Sequence, residues 1–92
     1  MHFVLECHDK PNSLELRLAN RPTHLDYLNS KLDHIIIAGP LLDEAGEKPV
    51  GSLLVLDFPD RAAAEAFAAA DPYAIAGLFQ SVSIRPYRKV LP

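Results

Sequence analysis

The first third of the chain predicts one strand followed by a helical region. Residues 2–8 (HFVLECH) are mostly apolar and read as a strand that ends at the turn signal Asp9-Lys10-Pro11. Residues 13–32 instead have apolar positions at helical spacing. Because proline removes a backbone donor and clashes with the preceding turn, we expect a break near Pro22, with a short helix or turn before it and a second helical piece after it. That second piece would carry three leucines on one face: Leu25, Leu28 and Leu32.

The rest of the chain predicts a hairpin, a helix and a final strand. Residues 34–42 (HIIIAGPLL) read as a β-branched strand that Gly39-Pro40 stops, and after a polar turn residues 50–58 (VGSLLVLDF) read as its partner. Asp60 is a suitable N-cap for an alanine-rich helix that follows it. The last strand contains Pro86, which cannot donate to a ladder, so this strand should lie at a sheet edge or carry a bulge.

This order of elements, β-α-β-β-α-β, is the ferredoxin-like α+β arrangement, an antiparallel sheet with both helices on one face. Both alternating sets of positions are largely apolar in residues 50–58, and residues 34–39 repeat the feature, so both faces of the sheet need burial. Two helices cover only one face. We therefore expect residues 1–92 to form a single domain that pairs with a second copy as a dimeric α/β barrel. A partner subunit would also help to stabilise a domain whose own core is small.

Composition excludes several classes of function. The formal net charge is -3, with nine Lys and Arg against twelve Asp and Glu, and no basic run is present, which argues against a nucleic-acid partner. The longest apolar stretches are far below the roughly 18 residues of a membrane-spanning helix, and the chain opens on a strand pattern rather than a signal peptide. We expect a cytoplasmic protein. Its one cysteine, Cys7, alternates with Phe3 and Leu5 and should be a buried, inert thiol.

His24 is the first candidate for chemistry. It stands four residues before Leu28, so it borders the apolar stripe of the predicted helix, and Arg17 and Arg21 precede it at helical spacing. An imidazole in such a position can act as a general acid or base. The alternative is a boundary histidine that packs against leucines and bonds to the backbone, and spacing alone favours this alternative.

The triplet Asp71-Pro72-Tyr73 is the second candidate. Aspartate before proline is a suitable N-cap for the short segment that follows, and the pattern by itself favours this capping role. A capped aspartate is also fixed in orientation, as a catalytic partner of histidine would need to be, so the two roles can coexist. Tyr73 is either a ligand-binding hydroxyl or an ordinary half-buried aromatic residue, and the pattern favours the second.

Metal and cofactor motifs give no further candidates. The four histidines show no HxxxH or HExxH spacing and no CxxC is present, so we expect no metal site. No glycine-rich phosphate loop, dinucleotide fingerprint or Gly-x-Ser-x-Gly elbow occurs either. We therefore expect no cofactor.

Five segments of the chain stand out together: RLANRPTHLDYL, AGPL, GSLLVLDF, AAADPYAIAGLF and VSIRPYRKV. They resemble the YciI-like (YCII-related) family, and the resemblance extends over nearly the whole chain. The resemblance implies a small dimeric ferredoxin-like α/β barrel with a histidine and an aspartate as a site pair. Its motifs fall on His24 and Asp71, and for both residues the resemblance reverses the preference that spacing alone gives.

The resemblance implies a class of reaction without naming a substrate. The leading hypothesis is a cofactor-independent lyase or isomerase in which His24 transfers a proton, Asp71 orients it, and Arg21 attracts a small, anionic organic substrate. Three further residues would form parts of the cleft wall: Gly39, Pro40 and Tyr73. Two alternatives stay open: a non-catalytic dimeric protein that binds a small metabolite or is associated with stress, and a scaffold whose dimer surface is its function.

Overall fold

The computed structural model describes all 92 residues and contains one four-stranded sheet. Its strands are β1 (His2–Asp9), β2 (Ile35–Leu42), β3 (Pro49–Asp57) and β4 (Phe79–Tyr87). The strand order is β2-β3-β1-β4, and all neighbours are antiparallel. The helices are α1 (Leu14–Asn29), α2 (Arg61–Ala69) and α3 (Pro72–Ile75), and a 3-10 turn (Leu32–His34) leads into β2. The predicted ferredoxin-like α+β fold is confirmed.

The core lies between one face of the sheet and the helices. Inward residues of the two central strands, β1 and β3, meet Leu28 from α1 and Phe67 from α2. Alternation of side chains along a strand explains which residues these are, because every second position points to the same face. The inward apolar residues are Phe3, Leu5, Cys7, Leu54 and Leu56, and each is almost fully buried. Cys7 is thus a core residue, as its position in the alternating pattern predicts.

The expected break at Pro22 is wrong, because α1 runs without interruption from Leu14 to Asn29 with Pro22 inside it. Proline in a helix interior removes one backbone hydrogen bond and costs about 3 kcal/mol. The buried residues of α1 lie on both sides of the proline, at Arg17, His24 and Leu28. Arg17 bonds to the sheet, His24 contacts α3 and Leu28 joins the core, so contacts on both sides of the proline hold the two halves in line. Tertiary contacts commonly override local propensity in this way.

The predicted leucine face is only partly correct. Leu28 is buried, whereas Leu25 is exposed and Leu32 lies in the 3-10 turn after α1 with most of its surface accessible. The face of α1 that meets the rest of the domain contains Arg17 and His24 in place of two of the leucines. A polar pair on the buried face of a helix indicates that this face borders a site as well as a core.

Gly39-Pro40 does not end β2, which continues to Leu42. Pro40 is opposite Ser52 in the ladder between β2 and β3. The proline is tolerated because β2 is an edge strand. Pro86 is also in an edge strand, β4, as predicted from its missing backbone donor.

Both predicted aspartate caps are present. The Asp60 side chain accepts a hydrogen bond from the Ala63 N–H at the start of α2, and the Asp71 side chain accepts one from the Tyr73 N–H at the start of α3. After α3 the chain turns at Gly77, whose φ of 77° is in the left-handed region that glycine adopts readily. This turn returns the chain to the sheet as β4.

Candidate active site

A cleft of about 260 Å³ lies between α1 and the half of the sheet formed by β2 and β3. Arg17, Arg21 and His24 line it from α1, where their spacing of four and three residues places them on one helix face. Gly39 and Pro40 line it from the strand side. Two further lining residues, Ser52 and Tyr73, come from β3 and α3.

His24 and Asp71 form a buried pair beside this cleft. The Nδ1 atom of His24 lies 2.8 Å from Oδ1 of Asp71, and the two residues are 7% and 3% exposed. Because an ionised carboxylate only accepts hydrogen bonds, Nδ1 carries the proton in this bond. The other ring nitrogen, Nε2, is then the histidine atom available for proton transfer.

The same aspartate oxygen also caps α3. Oδ1 of Asp71 accepts the Tyr73 backbone N–H at 2.9 Å. The cap fixes the position of the carboxylate, and the carboxylate in turn fixes the imidazole ring. The cap of α3 and the contact with His24 therefore share a single oxygen atom.

Tyr73 packs against the side chains of His24 and Arg17. Its ring is stacked on the His24 imidazole with 3.9 Å between centroids and 15° between planes, and Cζ of Arg17 lies 4.6 Å from the Tyr73 centroid. Tyr73 is 1% exposed, so the expectation of a half-buried aromatic residue is wrong. Burial raises the pKa of Tyr73, although Arg17 and Arg21 act in the opposite direction. Tyr73 therefore stays protonated near neutral pH and provides a rigid wall against which His24 is held.

Arg17 forms a second buried network with Asp9 and Ser52, which was not among the site residues expected from the sequence. Nε and Nη2 of Arg17 donate to the two carboxylate oxygens of Asp9 at 2.7 and 2.9 Å, and Nη2 also donates to Oγ of Ser52 at 2.9 Å. Burial opposes the charge of Arg17, but its hydrogen bond and attraction to Asp9 outweigh this effect and raise its pKa. Arg17 is therefore a permanently charged residue inside the domain.

Two features of the sequence are consistent with this network, although neither identifies its partners. Arg17 stands seven residues before His24, which places both on the same side of α1 once the helix is known to be continuous. Ser52 is the one polar residue in the inward set of β3, whose other members are Leu54 and Leu56. A buried hydroxyl in an apolar set needs a hydrogen-bond partner, and here Arg17 is that partner.

Arg21 differs from Arg17 in its surroundings. It lines the cleft, is exposed to solvent, and takes part in none of the ion pairs of the chain. Its charge is therefore free to act on a molecule that enters the cleft.

Two kinds of feature are absent from the structure. No three side chains among His, Cys, Asp and Glu come together in a group that could hold a metal ion. None of the helices is both long enough and apolar enough to cross a membrane.

The fold and the cleft define a ferredoxin-like α+β domain with a buried histidine and aspartate pair. Residues 1–88 match the model of the YCII-related domain, and the chain belongs to this family. It is similar to Protein YciI of Escherichia coli, with 38% identity over 97 residues that cover 98% of this chain and 99% of that protein. An uncharacterized protein of Haemophilus influenzae is 36% identical, and the alignment again covers 98% of this chain and 99% of that protein. The family membership expected from the sequence is confirmed.

Solved structures share the fold to different degrees. The 5-chloro-2-hydroxyhydroquinone dehydrochlorinase TftG of Burkholderia phenoliruptrix, in complex with 2,5-dihydroxybenzoquinone, superposes with a TM-score of 0.92 and 28% identity over 96% of this chain and 94% of that one. An antibiotic biosynthesis monooxygenase superposes with a TM-score of 0.57 and 14% identity over 98% of both chains. This second likeness concerns the fold alone.

Proposed function

We propose that this chain is an enzyme that removes the elements of a small acid from an organic substrate, or isomerises it, by proton transfer at His24. The observation that carries the proposal is the buried His24–Asp71 hydrogen bond of 2.8 Å at the wall of a cleft. A histidine whose second nitrogen is held by a carboxylate is the usual arrangement of a general base.

In the proposed elimination, Nε2 of His24 takes a proton from an acidic O–H or C–H group of the substrate. The electron pair of that bond forms a new double bond, and the leaving group departs with the electron pair of its own bond. Asp71 stabilises the imidazolium that forms, and the imidazolium afterwards returns its proton to solvent. In an isomerisation the imidazolium returns the proton to another atom of the substrate instead.

The likeness to TftG favours elimination over isomerisation. TftG is a dehydrochlorinase, and its structure contains a hydroxylated six-membered ring. Since this chain shares its fold at a TM-score of 0.92, we propose the same class of substrate, a hydroxylated ring with a leaving group. A cleft of about 260 Å³ is at the small end of ligand sites and suits a single ring. The unpaired charge of Arg21 would attract an ionised hydroxyl group.

A substrate screen with a matched pair of variants tests the proposal. Halogenated hydroquinones and phenols are incubated with the protein, and halide release and the ultraviolet spectrum are followed. We expect turnover by the wild type and by His34→Asn, because His34 lies outside the cleft and stacks on Phe58. His24→Asn should lose at least about 100-fold in rate.

Turnover by His24→Asn at the wild-type rate would reject the proposed role of His24. Ligand binding by the wild type without any turnover would indicate instead the non-catalytic metabolite-binding protein that the sequence leaves open. Thermal unfolding of each variant shows that a loss of rate is not a loss of fold.

We also propose that residues 1–92 form one domain that assembles as a homodimer through the sheet face opposite the helices. The β2–β3 half of that face presents Ile37, which is 56% exposed, and the partly exposed Leu53. A second copy of the face would cover both residues and form an obligate, core-like interface. Sedimentation should give a dimer at micromolar concentration for the wild type and a monomer or unfolded chain for Leu53→Lys. A folded wild-type monomer would contradict this proposal.

A further inference from the structure

We infer that Tyr27 is a positioning residue for the His24–Asp71 pair. Its hydroxyl group fixes the C-terminal end of α2 against α1, and this contact sets the distance between the imidazole and the carboxylate. The inference rests on the proposed function only for the use of the pair in proton transfer. It goes beyond that proposal because Tyr27 is not among the residues that line the cleft and acts through the pair.

The hydroxyl of Tyr27 caps the C-terminal end of α2. It donates to the backbone carbonyl oxygen of Phe67 at 2.8 Å. If α2 continued, the N–H of Asp71 would donate to that oxygen, but it donates to the Ala68 carbonyl instead. No backbone N–H of the chain donates to the Phe67 carbonyl. Because the last carbonyls of a helix need partners from outside the helix, Tyr27 supplies the donor that α2 lacks.

Two hydrogen bonds join α1 to the corner between α2 and α3, residues 67–71. The first runs from Tyr27 to Phe67 and the second from His24 to Asp71, and each measures 2.8 Å. Tyr27 stands three positions after His24, so the two side chains are neighbours on the surface of α1. Asp71 stands four positions after Phe67 on the other side of the contact. Each bond therefore holds the corner where the other bond needs it.

The residues inside the corner provide no polar attachment of their own. Residues 68–70 are all alanine, and their methyl side chains form no hydrogen bonds. Phe67 is buried in the core, and its ring packs on the ring of Tyr27 with 5.2 Å between centroids and 31° between planes. Phe67 thus fixes α2 in the core, while the Tyr27 hydroxyl fixes the end of α2 against α1. The place of the Asp71 carboxylate follows from that end.

Tyr27 stays a hydrogen-bond donor at every pH at which a histidine exchanges protons. Burial raises the pKa of Tyr27, and the negative charge of Asp71 raises it further. The phenol therefore keeps its proton at neutral pH and well above it. The contact is a fixed part of the fold and does not switch with pH.

The proton on Nδ1 of His24 reports the geometry of the pair directly and needs no substrate. A ring N–H that donates to a carboxylate gives a downfield NMR signal, and its exchange with water is slow while the bond is closed. We expect this signal, identified by its absence in His24→Asn, in the wild type and in Tyr87→Phe, which changes an exposed tyrosine of β4. In Tyr27→Phe the signal should move upfield and exchange about fivefold faster, because one of the two bonds to the corner is lost.

A smaller change at the same position grades the effect and serves where Tyr27→Phe does not fold. Tyr27→p-aminophenylalanine keeps the ring shape and replaces the hydroxyl with a weaker donor, so the His24 signal should move in the same direction by less.

Two outcomes would overturn the inference. One is a wild type without the downfield signal. The other is a folded variant of Tyr27 whose His24 signal is unchanged and exchanges within twofold of the wild-type rate, even if its unfolding temperature is lower, because a purely structural hydroxyl would have that effect alone. Absence of turnover by the wild type would reject the proposed function and leave these signals as they are, so the two failures can be told apart.

Discussion

His24 and Asp71 are 47 positions apart in the chain, yet Nδ1 of the first lies 2.8 Å from Oδ1 of the second. The helix α1 supplies the histidine, and the start of α3 supplies the aspartate. The aspartate oxygen also accepts the Tyr73 N–H, so a local helix cap and a long-range contact share one atom. Substitution by asparagine can separate these two roles. Asparagine caps a helix about as well as aspartate does, but it carries no charge to stabilise an imidazolium.

Asparagine in place of Asp71 should preserve the fold and lower the activity. Asn ranks with Asp as an N-cap, so the free energy of unfolding should change by less than about 1 kcal/mol. An amide cannot stabilise an imidazolium as a carboxylate does, and we expect the rate to fall by about 100-fold or more. Asp60→Asn is the control, because Asp60 caps α2 away from the cleft. Equal rates for the two variants would remove Asp71 from the proposed catalytic pair.

Removal of both members of the pair should cost little more than removal of His24 alone. Groups that act as a unit have strongly non-additive effects, since the aspartate has nothing to orient once the imidazole is gone. Steady-state rates of His24→Asn, Asp71→Asn and the double variant measure this. If the two losses multiply instead, the residues act independently and the proposed dyad is wrong.

Neutralising Arg21 should weaken the capture of an anionic substrate without abolishing the chemistry. We expect Arg21→Gln to raise KM by about fivefold at low ionic strength, as the loss of roughly 1 kcal/mol of charge attraction would do, with kcat nearly unchanged. Salt at high concentration should reduce the difference from the wild type by screening. Arg61→Gln, on the exposed surface of α2, should have no such effect. A KM that does not respond to Arg21→Gln would exclude its proposed role.

The buried thiol of Cys7 should lower the free energy of unfolding of the domain at alkaline pH. Burial, and secondarily the charge of Asp71, raise the pKa of Cys7 from 9.0 to about 12. The folded chain therefore keeps a proton that the unfolded chain releases above pH 9, so this contribution to stability is complete below pH 9 and is lost as the pH rises through about 12. We expect the free energy of unfolding to fall between pH 9 and 10.5 by on the order of 2 kcal/mol more in the wild type than in Cys7→Ala.

Urea unfolding at pH 8, 9 and 10.5 measures this difference. The raised pKa values of Tyr27 and Tyr73 act in the same direction, but both proteins share them. Parallel pH profiles for the two proteins would show that Cys7 does not carry the effect. The same burial should make Cys7 of the folded protein unreactive toward iodoacetamide at pH 8.

Gly51 should be far less tolerant of alanine than Gly39, although both are in strands of the same hairpin. A Cβ atom at Gly51 would overlap the backbone carbonyl oxygen of Cys7, whereas one at Gly39 would meet nothing within 4 Å. We expect Gly51→Ala to destabilise the domain by more than about 2 kcal/mol, because two backbones would have to separate. Gly39→Ala should change stability by no more than about 0.5 kcal/mol. Thermal or urea unfolding of the two variants measures the difference. Similar stabilities of Gly51→Ala and Gly39→Ala would contradict the close approach of β1 and β3.

The sequence by itself determined the kinds and order of the elements. Short, mostly apolar runs next to turn signals identified β1 and β3. The caps at Asp60 and Asp71 could be read directly because capping is a local interaction. Pro86 indicated an edge strand, since its missing N–H excludes it from a central ladder. For His24 and Asp71, however, local pattern favoured structural roles, and the likeness to a known family was needed to select them.

Only the tertiary structure decided the course of α1 and the composition of the cleft. Pro22 should interrupt a helix on local grounds, but packing on both sides of it keeps α1 continuous and thereby aligns Arg17 with His24. The partners of Arg17, Asp9 and Ser52, belong to the two central strands and are 8 and 35 positions away. Pairing between a helix and two strands depends on register and distance in space, which no local pattern encodes, and for that reason the Arg17 and Ser52 network emerged only when the chain was folded.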